Sequence, residues 1–218
     1  MTRDSIAAAC RERGLAIVGA FHPDPQDLPP EGTATLFLLG ADGPEMWAHF
    51  SASPEFCDGA KHPMDRWSRR VISALARDLG AGAFFPFGGP PYAPFQRWAI
   101  RAEGARSSPV AMQVTGARGL WTSYRGALAF GARVDLPGTP FHDPCRRCPA
   151  PCLSACPVDA FDAGRYDVPA CTAHVRQAAG TECRTGCLVR RACPAGESLA
   201  LSDAQKSFHM AAFLAAQP

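Results

Sequence analysis

Eight of the ten cysteines lie close together between residues 145 and 194. They form one run, an isolated cysteine and a second run: Cys145, Cys148, Cys152 and Cys156, then Cys171, then Cys183, Cys187 and Cys193. Cys156 and Cys193 are each followed directly by proline. Because the cysteine thiolate is a soft ligand that binds zinc and iron–sulfur clusters, this stretch predicts metal chemistry.

The spacing favours two 4Fe-4S clusters. A cysteine run that ends in Cys-Pro is typical of bacterial two-cluster proteins, in which the fourth cysteine of a run binds the other cluster. Three closely spaced cysteines can hold three corners of a cubane, but a short loop cannot reach the fourth corner. The proline lacks an N–H and has a fixed φ, so it helps to turn the chain away.

This exchange of ligands assigns every cysteine of the stretch. The first predicted cluster is held by Cys145, Cys148, Cys152 and Cys193. The second is held by Cys156, Cys171, Cys183 and Cys187. The spacings are x2, x3 and x3 in the first run and x3 and x5 in the second, so they differ from the bacterial x2, x2, x3 pattern.

Three alternatives stay open on the residues alone. The eight thiols could form four disulfides, although the polar start from Met1 to Ser5 has no apolar core of a signal peptide and favours a reducing cytosol. They could form two four-thiolate zinc sites, which have no need for a proline after the last ligand. Only one cluster could form, since the loop between Cys187 and Cys193 is long.

The composition limits the kinds of partner and the location that we expect for this protein. The 218 residues are 47% hydrophobic, enough for a sizeable core, and the formal net charge is +2. No run of lysines or arginines forms a basic stripe, so nucleic acid is not expected as a partner. No apolar run approaches the roughly 18 residues of a membrane span, and we expect a cytoplasmic protein without a membrane contact.

The elements that must position the cysteines follow from hydrophobic periodicity. In residues 65–79 the apolar residues recur at helical spacing, and Gly80 is placed to end the helix. The predicted helices are 1–14, 65–79, 95–117 (with interruptions near Gly104 and Pro109) and 198–216. The predicted strands are 15–21, 33–39, 83–87 and 124–136.

The order helix, strand, strand, helix, strand predicts an α/β domain of two or three layers. We expect three parts: the α/β domain in residues 1–138, a 4Fe-4S module in 139–197, and a C-terminal helix in 198–218 that packs back on the α/β domain.

A family resemblance is carried by the segment that precedes the cysteines. It reads Ser108-Pro-Val-Ala-Met-Gln-Val-Thr-Gly-Ala-Arg-Gly-Leu-Trp121-Thr-Ser-Tyr-Arg125-Gly-Ala-Leu, followed by Asp135-Leu-Pro and the cysteine run. This arrangement resembles epoxyqueuosine reductase. The resemblance implies a cobalamin-processing or nitroreductase-like α/β domain joined to a bacterial-ferredoxin-like module with two 4Fe-4S clusters. It further implies an oxidoreductase or electron-transfer protein that uses cobalamin or flavin.

The chain departs from that family at its reactive positions. Where the family has an acidic proton donor in a Val-Asp-Thr motif, this chain has Arg106-Ser107-Ser108 before Pro109. The Gly-Trp-Ile-Gly-Lys-Asn turn is replaced by Leu120-Trp-Thr-Ser-Tyr-Arg. We therefore do not expect reduction of epoxyqueuosine. The alternative from another class is a corrinoid carrier in which the clusters only brace the fold.

Five further residues have two readings each. By the resemblance, Trp121, Tyr124 and Arg125 lie nearest a cofactor pocket. Otherwise, the two aromatic residues only pack between the two modules and Arg125 lies on the surface. Arg146 and Arg147 could raise the potential of the first cluster. They could equally be surface charges that contact an acidic redox partner protein.

Overall fold

The computed structural model describes residues 1–41, 43–138, 141–162 and 164–217. Its helices are α1 (Arg3–Arg11), α2 (Glu45–Ser51), α3 (Pro54–Cys57), α4 (Pro63–Leu79), α5 (Phe95–Glu103), α6 (Val168–Arg176), α7 (Thr181–Arg184), α8 (Leu188–Arg191) and α9 (Asp203–Ala215). Its strands are β1 (Ala16–Phe21), β2 (Thr35–Gly40), β3 (Gly82–Phe84), β4 (Arg106–Ser107), β5 (Gln113–Val114) and β6 (Tyr124–Phe130). The chain is therefore a mixed α/β protein.

The described residues divide into two compact units. The sheet unit consists of Met1–Ala105 and Ser123–Phe141, and the cysteine unit consists of Arg106–Thr122 and His142–Pro218. Within the described ranges, no helix is both long and apolar enough to span a membrane.

The sheet unit is built on a four-stranded antiparallel sheet in the order β1-β2-β6-β3. All six residues of β2 are buried, which places this strand at the centre of the core. Strand periodicity puts Leu36, Leu38 and Ala127 on one face, where they pack with Trp98 and Ala99 of α5.

Helix α4 covers the opposite face of the sheet. Gly126 of β6 lies so close to α4 that a Cβ built on it would be 2.7 Å from Ile72 Cδ1. Ile72 and Leu75 are fully buried. The helix ends at Gly80, whose φ of +66° is in the left-handed region that glycine adopts without strain. The sheet unit therefore has three layers, with α5 and α4 on either side of the sheet.

The cysteine unit has a small core of its own. Val110, Val114, Leu120, Cys152 and Val189 are buried together. Further cysteines of both runs pack against this cluster: Cys145, Cys156, Cys187 and Cys193. The rest of this unit is helix and turn, with the short β4–β5 pair as its sheet. Five of the eight cysteines of the two runs and the isolated position are therefore part of this core or pack against it.

Several predicted elements are confirmed with shifted ends. The N-terminal helix, the strands near residues 16, 35 and 82, the helix ending at Leu79 and the C-terminal helix are all present. The strand predicted over 124–136 ends at Phe130. The helix predicted over 95–117 is wrong beyond Glu103, because Gly104 ends α5 in a left-handed turn and the chain continues into β4 and β5.

The compact units differ from the boundaries expected from the sequence. Residues 106–122 were expected in the α/β domain but group with the cysteines. Helix α9 was expected on the α/β domain, whereas it belongs to the cysteine unit and contacts α7. Helix α9 has a weakly segregated apolar face, so its sequence did not indicate which surface it covers. Thr139 and Pro140, at the predicted boundary, lie outside the described residues.

Candidate metal centre

The first cysteine group consists of Cys145, Cys148, Cys152 and Cys193. Burial raises the pKa of the Cys145 thiol, and the charges of Asp143 and of the other three thiols raise it further. Burial likewise raises the pKa of Cys152, with Cys193 and Cys148 adding to the effect. Because thiols must be close to perturb one another in this way, these four sulfurs converge on one region.

Local turns bring the first three of these thiols together. The N–H of Cys148 donates to the carbonyl of Cys145 at 3.2 Å, and the N–H of Cys145 donates to Asp143 Oδ1 at 2.9 Å. A 3₁₀ turn, Pro151–Leu153, then carries Cys152 into the core. The fourth thiol arrives from the far end of the unit, where Cys193 precedes the 3₁₀ helix Pro194–Leu199.

The second cysteine group consists of Cys156, Cys171, Cys183 and Cys187. Burial raises the pKa of Cys183, and the thiols of Cys187, Cys156 and Cys171 raise it further. Burial also raises the pKa of Cys171, and the hydroxyl of Tyr166 offsets part of this increase. All four residues line one largely apolar cavity.

Helix ends position this second group. Cys171 lies on α6, whose N-terminus is capped by the Asp167 carboxylate accepting from the N–H of Ala170 at 2.9 Å. Cys183 lies on the single turn of α7, and Cys187 is the N-cap of α8. Gly186, between these two short helices, has a φ of +132°, a value that side chains rarely adopt.

Groups other than cysteine also contact the second group. The backbone N–H of Ala160 donates to Cys156 Sγ at 3.3 Å. Burial raises the pKa of the Tyr166 hydroxyl, and the thiols of Cys171 and Cys187 raise it further. Burial lowers the pKa of Arg190, while the thiol of Cys187 and the hydroxyl of Tyr166 act in the opposite direction. A guanidinium remains protonated at neutral pH, so a positive charge lies beside this group.

The two groups have the same members as the two sets assigned from the sequence. Binding of a cluster by them remains a prediction. All ten cysteines are free thiols in the structure. Among the described residues, no three His, Cys, Asp or Glu side chains are close enough to hold a single metal ion.

The residues predicted to lie near a cofactor pocket have other contacts. Tyr124 donates a hydrogen bond to the Glu103 carboxylate, and Arg125 pairs with Asp65 at 3.3 Å, both within the sheet unit. Burial lowers the pKa of Arg125, and the charge of Asp65 raises it. Trp121 belongs to the cysteine unit, where Arg190 lies 5.8 Å from its ring centroid. These contacts favour a packing role for all three side chains.

The remaining predicted residues fall at the surface or in the core. Arg146 and Arg147 lie in the sequence between two cysteines of the first group, and both are exposed. Contact with a redox partner protein would require this exposure. Cys10 is fully buried, and burial raises its pKa to about 11, so it is an inert core thiol. Cys57 is exposed and lies outside both groups.

Sequence reasoning missed Asp143, Tyr166 and Arg190. Asp143 lies two residues before the first cysteine and reads as a turn residue. Tyr166 and Arg190 carry no motif, and only the folded chain brings them to the sulfurs. Comparisons with protein-family models, curated proteins and solved structures found no match to this chain.

Proposed function

We propose that this protein binds two 4Fe-4S clusters, one at each cysteine group, and transfers electrons. The observation that carries the proposal is the division of eight thiols into two groups of four. The first group takes three thiols from one run and the fourth from the other run. The second group combines two thiols of the second run with the isolated Cys171 and with the last cysteine of the first run, so ligands are exchanged between the runs as in two-cluster ferredoxin-like modules.

The surroundings of the thiols fit this cofactor. Cysteines of both groups pack in the core of the cysteine unit, and the cavity at the second group is lined, besides its four cysteines, by apolar side chains and His174. A backbone N–H donates to Cys156 Sγ, which is a typical contact of cluster sulfurs. When bound, such clusters supply one-electron chemistry, while the chain positions them and limits their exposure to water.

We also propose a partner and a location. Arg146 and Arg147 extend from the loop of the first cysteine group, and Leu153 beside Cys152 is 55% exposed. A positively charged surface with an exposed apolar residue suits an acidic redox partner protein. Free thiols that bind metal require a reducing compartment, which supports a cytoplasmic location.

Electron transfer can be measured directly on protein purified without oxygen. We expect a broad visible absorption that is bleached by dithionite. The reduced protein should then deliver about two electrons per chain to oxidised cytochrome c, one from each cluster. Cys57→Ala, outside both groups, should behave as the wild type, whereas Cys171→Ala should deliver about half as many electrons. A protein that dithionite does not bleach would contradict the proposal.

The finer assignment concerns the sheet unit. Its relation to the cobalamin-processing and epoxyqueuosine reductase type, with cobalamin or flavin as the electron acceptor, rests on the sequence resemblance. Titration with cobalamin, followed by its visible spectrum before and after dithionite, tests this assignment. We expect a cobalamin complex that is reduced through the clusters. The absence of any spectral change on titration would contradict cobalamin as the electron acceptor.

A further inference from the structure

The cysteine unit contains a cavity of about 220 Å³ beside Cys193. A cavity of about 150 Å³ holds benzene, so this space accommodates a small organic molecule. Besides the cysteine, its lining includes an aromatic ring, two cations and a carboxylate, which belong to Trp121, Arg191, Lys206 and Glu197. An aromatic wall with a few convergent polar groups is typical of sites that bind small molecules.

Trp121 forms the aromatic wall of this cavity. Gly196, in the 3₁₀ helix Pro194–Leu199, lies so close to the ring that a Cβ built on it would be 2.8 Å from Trp121 Cδ1. Arg190 lies 5.8 Å from the ring centroid, and its guanidinium is fixed by donating to the carbonyl oxygen of Leu120 at 2.7 Å. The neighbours of the indole ring therefore hold it in place. A fixed indole ring is a surface on which another aromatic ring stacks favourably.

Two opposite charges in the lining have no partner. Among the described residues, the side chains of Arg191 and Glu197 form no hydrogen bond and no ion pair, either with each other or with a third group. Lys206 differs, because its ammonium pairs with Asp203 at 2.8 Å and its stem packs against Gly186. In the part of the chain that the structure describes, the cavity therefore presents one unpaired cation and one unpaired anion.

These two charges match a ligand that carries both signs. A carboxylate forms charge-assisted hydrogen bonds with a guanidinium, and an ammonium forms them with a carboxylate. A free α-amino acid carries a carboxylate and an ammonium on one carbon atom. We propose that the cavity binds a free aromatic α-amino acid, with its carboxylate at Arg191, its ammonium at Glu197 and its ring on Trp121. A simple anion or a simple cation would leave one of the two charges unpaired.

This site goes beyond the proposed function, because binding of an amino acid requires no electron transfer. Its position beside Cys193 nevertheless brings the ligand to the first cysteine group. Binding and electron transfer can therefore be tested separately on the same preparation of the protein.

Isothermal titration calorimetry of the full chain, purified without oxygen, tests the proposal with L-phenylalanine and two analogues. Phenethylamine lacks the carboxylate, and 3-phenylpropionate lacks the ammonium. We expect L-phenylalanine to bind about tenfold more tightly than either analogue. In Arg191→Gln, the affinity for L-phenylalanine should fall about tenfold, while phenethylamine binds at least as tightly as before. In Glu197→Gln, L-phenylalanine should again bind about tenfold more weakly, while 3-phenylpropionate does not.

A matched control removes an equal charge outside the cavity. Arg165 is exposed in the same unit and does not line the cavity, so Arg165→Gln should leave all three affinities unchanged. No binding of L-phenylalanine to the wild type would overturn the proposal. Equal losses of affinity for L-phenylalanine and phenethylamine in Arg191→Gln would also overturn it. A protein that binds L-phenylalanine but lacks iron and sulfide would support this site and contradict the proposed function, so the two failures are distinguishable.

Discussion

Gly119 lies against the first cysteine group. Its φ is +53°, and a Cβ built on it would lie 2.8 Å from Cys193 Sγ and 2.7 Å from the backbone N of Gly196. Cβ atoms do not approach other atoms this closely, so Gly119→Ala should displace Cys193. We expect this variant to lose about half of its iron, measured per chain after reconstitution, with the second cluster retained.

The control for this variant has the same backbone conformation without the contact. Gly164 has a φ of +72°, and nothing lies within 4 Å of a Cβ built there. Gly164→Ala should cost stability through its backbone but keep all of its iron. Equal iron content in the two variants would show that Gly119 does not place a cluster ligand.

Glu55 is a buried carboxylate in the sheet unit. Arg70 donates to both of its oxygens, at 2.5 Å and 2.9 Å. These hydrogen bonds lower the pKa of Glu55 from 4.5 to about 2, against the effect of burial. A carboxylate with a lowered pKa stabilises the fold above its unfolded pKa, and this stabilisation is lost as the pH falls toward the folded value.

The substitution Glu55→Gln should therefore destabilise the protein by about 1 kcal/mol at pH 7, a value reduced for the exposure of Arg70. The difference from the wild type should be constant from pH 8 to pH 5 and should shrink below about pH 4.5. Urea unfolding of both proteins at several pH values measures it, with the exposed Glu31→Gln as control. A difference in the free energy of unfolding that grows as the pH falls would contradict a stabilising ion pair between Glu55 and Arg70.

The contact between α4 and β6 is a central part of the core of the sheet unit. Ile72 is fully buried, so Ile72→Ala should lower the free energy of unfolding by about 2 to 5 kcal/mol. Ile100 on α5 is 55% exposed, and the same substitution there should cost about 0.5 kcal/mol or less. Unfolding in urea, followed by circular dichroism, compares the two. Similar losses would mean that α4 does not form the core.

An element could be predicted from the sequence where its own residues determine its secondary structure. Helix α4 has an apolar stripe and a terminal glycine, so its periodicity sufficed. Helix α2 is short, carries no side-chain N-cap, and was not predicted. Residues 106–117 looked helical, but a Ser108–Met112 turn pairs β4 with β5 instead. Pairing between strands depends on partners that a local pattern does not contain.

For the whole molecule, ligand exchange between the two runs is the feature to test. The second run supplies Cys193 to the first group, and the first run supplies Cys156 to the second. Cys193→Ala should therefore lose the first cluster, and Cys156→Ala should lose the second. Each variant should keep about four iron atoms per chain, and their electron paramagnetic resonance spectra should differ. Loss of the same signal in both would show that the assignment is wrong.

The sequence indicated the members of the two cysteine groups, but it did not indicate the side chains that surround them. The members of both groups follow from the spacing of the cysteines and from the two Cys-Pro endings, which are local features of the sequence. Tyr166 stacks on Phe161, and Arg190 donates a hydrogen bond to the carbonyl oxygen of Leu120. Such contacts are properties of the folded unit and leave no local pattern.

The most direct test of two clusters is the content of iron and acid-labile sulfide per chain in protein purified without oxygen. Two 4Fe-4S clusters predict about eight iron atoms and about eight sulfides per chain. Zinc without sulfide would contradict them, since the eight thiols would then form structural zinc sites and electron transfer would lose its basis.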